Sequence, residues 1–123
     1  MKYLLSFAMA FTLLACNAQQ DQSNGTFTDM SNAQAKELIA NQAELQIIDV
    51  RTDGEVANGM IEGAQQIDIS KPDFEKQLAS LDKSKPVLVY CHSGGRSKRA
   101  QSIMKEQGFT EVHNLANGFS RWK

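Results

Sequence analysis

The side chains best suited to chemistry lie in one short segment, residues 91–97, which reads Cys-His-Ser-Gly-Gly-Arg-Ser. A cysteine thiolate is a nucleophile, and two adjacent glycines let successive backbone N–H groups converge on one point. Such a nest at the start of a helix binds anions, so it lowers the pKa of a thiol at its centre below the free value of about 8.5. The segment therefore predicts a reactive thiolate at Cys91, with the nearby positive charge of Arg96 making it the second candidate catalytic residue.

Each of these residues also has a plainer interpretation. A cysteine at the end of a core strand is often a small buried apolar residue, but the glycines, the arginine and the strand-end position favour a reactive thiol at Cys91. Ser97 is expected to cap the helix or to hydrogen-bond within the loop. His92 could donate a proton, although a loop histidine more often faces solvent. His113 has no partner that the sequence identifies and is interpreted as structural.

The elements that must position this loop alternate along the chain between strand and helix. The clearest strand is the apolar run 87–90, which ends directly before Cys91, and a helix follows Arg96. The alternation predicts an α/β fold with a mostly parallel central sheet and helices on both faces, in which ligands bind beyond the carboxyl ends of the strands. Further strands are predicted at 45–50, 66–69 and 111–113, and further helices at 32–40, at 53–59, after Pro72 and over a closing turn at 118–122.

Length and charge limit the remaining possibilities. The chain has 123 residues, 13 basic and 14 acidic side chains, and a formal net charge of −1. The length suits one domain, and the near-zero charge provides no field to attract polyanions, so no nucleic-acid partner is expected. Two cysteines do not make a disulfide-rich scaffold, and no cluster of histidine, cysteine and carboxylate residues indicates a metal site or another cofactor.

The N-terminal segment, residues 1–15, differs from the rest and is predicted to be a signal peptide. A basic start and an apolar run too short to span a bilayer are typical of a secretory signal. The run ends Leu-Leu-Ala-Cys, which resembles the lipobox of bacterial lipoproteins, so Cys16 is the expected lipidation site and residues 16–26 form a flexible tether. The protein is then expected in the periplasm, lipid-anchored to the cell envelope. Asn17, which is not the aspartate of an inner-membrane retention signal, favours the outer membrane; the alternatives are an unlipidated signal peptide and a buried N-terminal helix.

Three ordered motifs together resemble the single-domain rhodaneses, a family of sulfurtransferases. The loop at 91–97 is similar to the family's Cys-x-x-Gly-x-Arg-Ser active-site pattern. Residues 48–51 followed by Glu55, and then residues 59–64, resemble its first signature, and residues 114–122 resemble its closing signature. The chain is therefore identified as a member of this family.

The resemblance covers nearly all of the chain after the tether, so residues 27–123 are expected to form one rhodanese-like domain. Two positions depart from the family's usual residues. Met60 stands where the family usually has histidine, and Asn117 stands where it often has a second glycine. Neither departure falls in the loop that contains Cys91.

The resemblance implies sulfur transfer by double displacement. The Cys91 thiolate takes the outer sulfur of thiosulfate or a similar donor and passes it, as a persulfide, to a thiol or cyanide acceptor. No cofactor or metal is required. Asp49 and Arg51 are expected to support the loop structurally. The candidate substrate-binding residues are His92, Ser93, Gly94, Gly95 and Ser97.

Two other functions stay open. A non-catalytic rhodanese-like module would bind sulfur species or a partner protein, and its signature is a missing loop cysteine, whereas Cys91 is present. Small phosphatases and arsenate reductases of similar fold have one residue more between cysteine and arginine than the four residues found between Cys91 and Arg96. Because a tighter loop suits a sulfur atom better than a tetrahedral oxyanion, sulfur transfer is preferred.

Overall fold

A single five-stranded sheet organises residues 25–123, which are the residues that the computed structural model describes. All neighbouring strands are parallel, in the order β1-β5-β4-β2-β3. Because the strands are parallel, their carboxyl ends share one edge of the sheet. The strands are β1 (Thr26–Met30), β2 (Gln46–Asp49), β3 (Gln65–Gln66), β4 (Val87–Tyr90) and β5 (Glu111–Leu115).

Four α-helices and one short 3-10 turn connect and follow these strands. The first helix begins with the predicted capping box, in which the Ser31 hydroxyl accepts from the Gln34 N–H and the Gln34 side chain accepts from the Ser31 N–H. The predicted helix at 32–40 is therefore confirmed, with one residue added at its end. The helices are α1 (Asn32–Asn41), α2 (Asp53–Val56), α3 (Phe74–Leu78) and α4 (Gly95–Glu106), followed by the 3-10 turn (Phe119–Arg121).

Both faces of the sheet are covered, because the central strand β4 is apolar on both sides. Its Val89 faces a layer formed by α3 and α4, in which Met104 is fully buried. Its Leu88 faces the opposite layer, where it packs with Ala35 of α1 and with Leu115. Helices on both faces are thus confirmed, and the sheet is wholly parallel where a mostly parallel one was expected.

The structure differs from the sequence-based expectations mainly at the edges of the sheet. Strand β1 was not predicted, and its first residue, Thr26, had been assigned to the tether. Its five residues pair in parallel with the whole of β5. Strand β3 is shorter than the predicted 66–69 because the chain turns away at Asp68, whose carboxylate accepts from the Ser70 backbone N–H and hydroxyl. The helix predicted at 53–59 is likewise shorter, since a turn follows Val56 and ends at Gly59 with φ +126°.

Residues 25–123 contain no helix with the length and apolar character needed to cross a membrane. The predicted signal peptide, the lipidation site at Cys16 and all of the tether up to residue 24 lie outside the described residues.

Candidate active site

Cys91 lies at the carboxyl edge of the sheet, directly after β4 and four residues before the first residue of α4. Gly94, the residue that precedes α4, has φ +100°, which an L side chain rarely adopts. A Cβ atom on Gly94 would also lie 2.2 Å from the carbonyl oxygen of Ala116. Glycine is therefore required at this point for the chain to reverse and begin α4 against the backbone of Ala116.

The sulfur of Cys91 is surrounded by hydrogen-bond donors. The residue is 1% exposed, and its Sγ accepts from the Gly94 N–H at 3.1 Å and from the Ser97 hydroxyl at 3.4 Å. Burial raises the pKa of the thiol, but the hydrogen bonds from Ser97, from the Ser93 backbone and from Gly94 outweigh it, so the pKa is lowered overall. The predicted arrangement of backbone amides around the thiol is present, and it favours the thiolate.

The other predicted loop residues divide between the interior and the rim. Ser97 is fully buried and contacts the sulfur, as the expectation of a hydrogen bond within the loop required. His92, Ser93 and Gly95 are exposed at the rim. The backbone of Ser93 is turned towards the thiol, whereas the His92 side chain lines a cavity beside the loop.

Arg96 forms an ion pair that sequence reasoning missed. Its two terminal nitrogens donate to the two carboxylate oxygens of Glu55 at 2.8 and 2.9 Å. These hydrogen bonds hold the pKa of Glu55 at about 2, well below its ordinary value of 4.5. Glu55 comes from α2, where it also completes a capping box with Thr52. The Thr-x-x-Glu spacing identifies that capping box in the sequence, but it does not identify Arg96 as a partner of the carboxylate.

A second ion pair lies below the loop and is buried. Arg51 binds Asp49 through hydrogen bonds of 2.7 to 3.1 Å, and the two side chains are 3% and 0% exposed. The Arg51 guanidinium also donates to the Gly59 carbonyl at 2.7 Å, and it lies 4.2 Å from the centre of the Phe119 ring. A planar guanidinium has little freedom to move when its N–H groups are hydrogen-bonded and its face is covered by an aromatic ring. The pair therefore connects the end of β2 to the 3-10 turn.

The closing segment, residues 116–120, holds the outer side of the loop. The Phe119 N–H donates to the Cys91 carbonyl at 2.8 Å, and the Ser120 N–H donates to the His92 carbonyl at 3.0 Å. Gly118, with φ +66°, makes this approach possible, because a Cβ atom there would lie 2.2 Å from the same His92 oxygen. The carbonyls of Cys91 and His92 are thus bound on the outer side of the loop, whereas the N–H groups of Ser93 and Gly94 point inwards to the sulfur.

A cavity of about 280 Å³ opens beside the loop. Its wall contains one guanidinium, one carboxylate, two further polar side chains and one aromatic ring from the closing segment. It provides space for a small molecule next to the loop residue that follows Cys91. The lining residues are Arg51, Glu55, Asn58, His92 and Phe119.

His113 and the two departures from the family pattern fall outside this arrangement. The His113 ring is bonded to Thr28 Oγ1 at 2.6 Å and to Glu111 at 2.9 Å, so it joins β1 to β5. Met60 is half-buried, and Asn117 is exposed in the closing segment. Thr28 is on an edge strand that the sequence did not predict, and Glu111 is two residues before His113 on β5; the sequence identified neither as a partner.

The pattern that defines the rhodanese-like domain matches residues 31–123. This range includes both ion pairs, the cysteine loop and the closing segment. The chain therefore belongs to the family of rhodanese-like domains.

Individual relatives agree with this assignment. The putative sulfurtransferase YtwF of Bacillus subtilis is 40% identical over 95 residues, which cover 77% of this chain and 89% of that protein. The thiosulfate sulfurtransferase GlpE of Pseudomonas aeruginosa is 35% identical over 99 residues, which cover 80% of this chain and 86% of that protein. A rhodanese-like domain protein from Staphylococcus aureus has a crystal structure that matches with a TM-score of 0.70 at 26% identity, covering 78% of this chain and 91% of that one. The predicted family and fold are confirmed.

Proposed function

We propose that this protein is a sulfurtransferase that carries a sulfane sulfur as a persulfide on Cys91. The observation that carries the proposal is the ring of donors around Sγ, from Gly94, Ser93 and Ser97, which lowers the pKa of the thiol. The ionised form of the thiol is the one that attacks sulfur, and a lowered pKa increases its share. Relatives that this chain matches over most of their length are named sulfurtransferases.

The reaction has two displacements. The Cys91 thiolate attacks the outer sulfur of thiosulfate or a similar donor; the donor's sulfur–sulfur bond breaks, and sulfite leaves with the bonding electron pair. A thiol or cyanide then attacks the terminal sulfur of the persulfide, and the Cys91 thiolate is released. The N–H groups that bind Sγ in the resting enzyme also stabilise the negative charge on the persulfide.

The remaining predicted site residues have binding and supporting roles in this proposal. The backbone groups of Ser93, Gly94 and Gly95 surround the transferred sulfur, and His92 lines the approach to it. The buried pair of Asp49 and Arg51 fixes the position of the 3-10 turn relative to the loop. No step of the reaction calls for a metal or an organic cofactor.

Intact-mass measurement tests the persulfide directly. The full chain incubated with thiosulfate should gain the mass of one sulfur atom and lose it on reduction. The chain provides a matched pair of variants: Cys16→Ser should retain the gain, and Cys91→Ser should abolish it together with all turnover of thiosulfate and cyanide. A gain that survives in Cys91→Ser would overturn the proposal, because another residue would then carry the sulfur. A wild-type protein that gains no sulfur from any sulfane donor would overturn it in favour of a non-catalytic module.

We further propose that Cys16 is lipidated and anchors the protein to the bacterial cell envelope. The apolar run that ends in Leu-Leu-Ala-Cys supports this proposal. In bacteria grown with a labelled fatty acid, the wild-type protein should carry the label in the membrane fraction. Cys16→Ser should be unlabelled, and label that persists in this variant would contradict the anchor.

A further inference from the structure

The guanidinium groups of Arg51 and Arg96 each have a carboxylate partner within the described part of the chain. Arg51 is bound to Asp49, and Arg96 is bound through both terminal nitrogens to Glu55. Each pair is close to neutral as a unit. The backbone N–H groups of the loop are in turn hydrogen-bonded to the sulfur of Cys91.

Glu55 is held in its ionised form from two sides. Arg96 donates from across the site, and the Thr52 hydroxyl donates from within the capping box at 3.1 Å. The side chains of Arg96 and Glu55 are 38% and 30% exposed, so the pair lies at the solvent-accessible mouth of the site. Glu55 also lines the cavity beside the loop. A substrate in that cavity therefore meets the Glu55 carboxylate and not a free Arg96 guanidinium.

We infer that Glu55 is a specificity-determining residue that makes the enzyme favour sulfane-sulfur donors with one negative charge over dianionic thiosulfate. The inference rests on the proposed sulfur transfer at Cys91. By occupying the Arg96 guanidinium, Glu55 removes a cation at the mouth that a sulfonate group would otherwise bind. A dianion then approaches the thiolate without a free guanidinium to bind it, and each extra unit of negative charge on the donor increases the repulsion from the thiolate.

A donor with a single negative charge can react with Cys91 by the same displacement as thiosulfate. In the methanethiosulfonate anion, the Cys91 thiolate attacks the terminal sulfur, the sulfur–sulfur bond breaks, and methanesulfinate leaves with the electron pair. The enzyme keeps the same persulfide. The two donors differ by one unit of charge and react at the same kind of sulfur–sulfur bond. A change in the ratio of their rates between two variants therefore reports the effect of charge, because the difference in leaving group is the same for both variants.

Glu55→Gln is the decisive variant, because glutamine removes the charge and still completes a capping box, as Gln34 does at the start of α1. With cyanide as a saturating acceptor, we expect the kcat/KM for thiosulfate, relative to methanethiosulfonate, to rise about three- to tenfold. Raising the ionic strength from about 0.01 M to about 1 M shortens the Debye length from about 30 Å to about 3 Å, and should remove most of this difference.

Two further variants complete the test. Glu106→Gln removes the same charge from an exposed residue at the far end of α4 and should leave the ratio unchanged. Arg96→Gln leaves Glu55 without its cation and should lower the ratio. The inference would be overturned if the ratio were unchanged in Glu55→Gln, or if that variant lost kcat/KM equally with both donors. It would also be overturned if the ratio shifted as much in Glu106→Gln as in Glu55→Gln. If the wild type transfers sulfur from neither donor, it is the proposed function that fails.

Discussion

At the scale of single residues, the hydroxyl of Ser97 controls how much of Cys91 is ionised. Ser97 is fully buried on the first turn of α4, and its hydroxyl is one of the groups that lower the pKa of the thiol against the effect of burial. Because the hydrogen bond favours the charged form, the thiolate persists to lower pH than it would in water.

The first prediction concerns the pH dependence of this thiolate. In Ser97→Ala the pKa of Cys91 should rise, so the acidic limb of kcat/KM for the sulfur donor moves to higher pH. One lost hydrogen bond to a charged group corresponds to about a tenfold smaller thiolate fraction on that limb. The pH profile, or the rate of alkylation by iodoacetamide against pH, measures the shift. Ser102→Ala removes an exposed hydroxyl from the same helix and should leave the profile in place; an identical profile for Ser97→Ala would refute the role.

At the scale of elements, the closing segment determines the shape of the cysteine loop. It binds the carbonyls of Cys91 and His92, and the close approach of Gly118 to His92 leaves no room for a side chain. The sequence predicted a turn here and the structure shows a 3-10 turn, but its contact with the loop follows only from the packed fold. A local pattern determines a turn, whereas contacts between distant segments depend on how the sheet brings them together.

Gly118→Ala is therefore predicted to damage catalysis beyond its effect on stability. The new methyl group would force the His92 carbonyl away and misdirect the loop N–H groups, so we expect kcat/KM for the donor to fall at least about tenfold. Gly108→Ala is the matched control, because Gly108 also has positive φ, at +94°, but a Cβ there meets no atom within 4 Å. Both variants should lose stability through backbone strain. Urea unfolding and donor kinetics together separate the two effects, and equal activity in the two variants would disprove the prediction.

Elements with a local signal could be predicted from the sequence, whereas those that depend on distant partners could not. Strand β4 and helix α4 were predicted because an apolar run and a helical apolar face are local signals. Strand β1 was missed because Thr-Phe-Thr-Asp-Met has few apolar residues, and its place in the sheet depends on pairing with β5. The contact of Glu55 with Arg96 was missed because the two residues are 41 positions apart. Neither the carboxylate nor the guanidinium has a local pattern that identifies its partner.

At the scale of the whole molecule, acid should destabilise the fold through its bound carboxylates. Hydrogen bonds from Arg96 hold the pKa of Glu55 at about 2, and the pKa of Asp29 is lowered by hydrogen bonds from Asn114 and Lys98. A carboxylate whose pKa is lower in the folded state contributes stability above its unfolded pKa of about 4, and that contribution is lost as the pH falls through the folded value.

The resulting prediction is a urea midpoint that is constant from neutral pH to about pH 5 and then decreases towards pH 2. Glu55 lies at the surface, so its share is at most about 1 kcal/mol. Glu55→Gln should be less stable than the wild type at pH 7, and the difference should shrink towards pH 2, where about half of the wild-type carboxylate is neutral. A difference that does not change between pH 7 and pH 2 would show that Glu55 stabilises by packing rather than by charge.

The parallel direction of β1 has a practical consequence. Thr26 is paired at the start of β5, whereas Cys91 follows the last residue of β4, so the point where the chain enters the domain and the reactive sulfur are on opposite edges of the sheet. The length of a five-residue strand separates these edges by about 15 Å. A resin, an electrode or a fluorescent fusion coupled ahead of Thr26 would therefore be joined on the far side of the domain, leaving the sulfur open to molecules arriving from the bulk liquid.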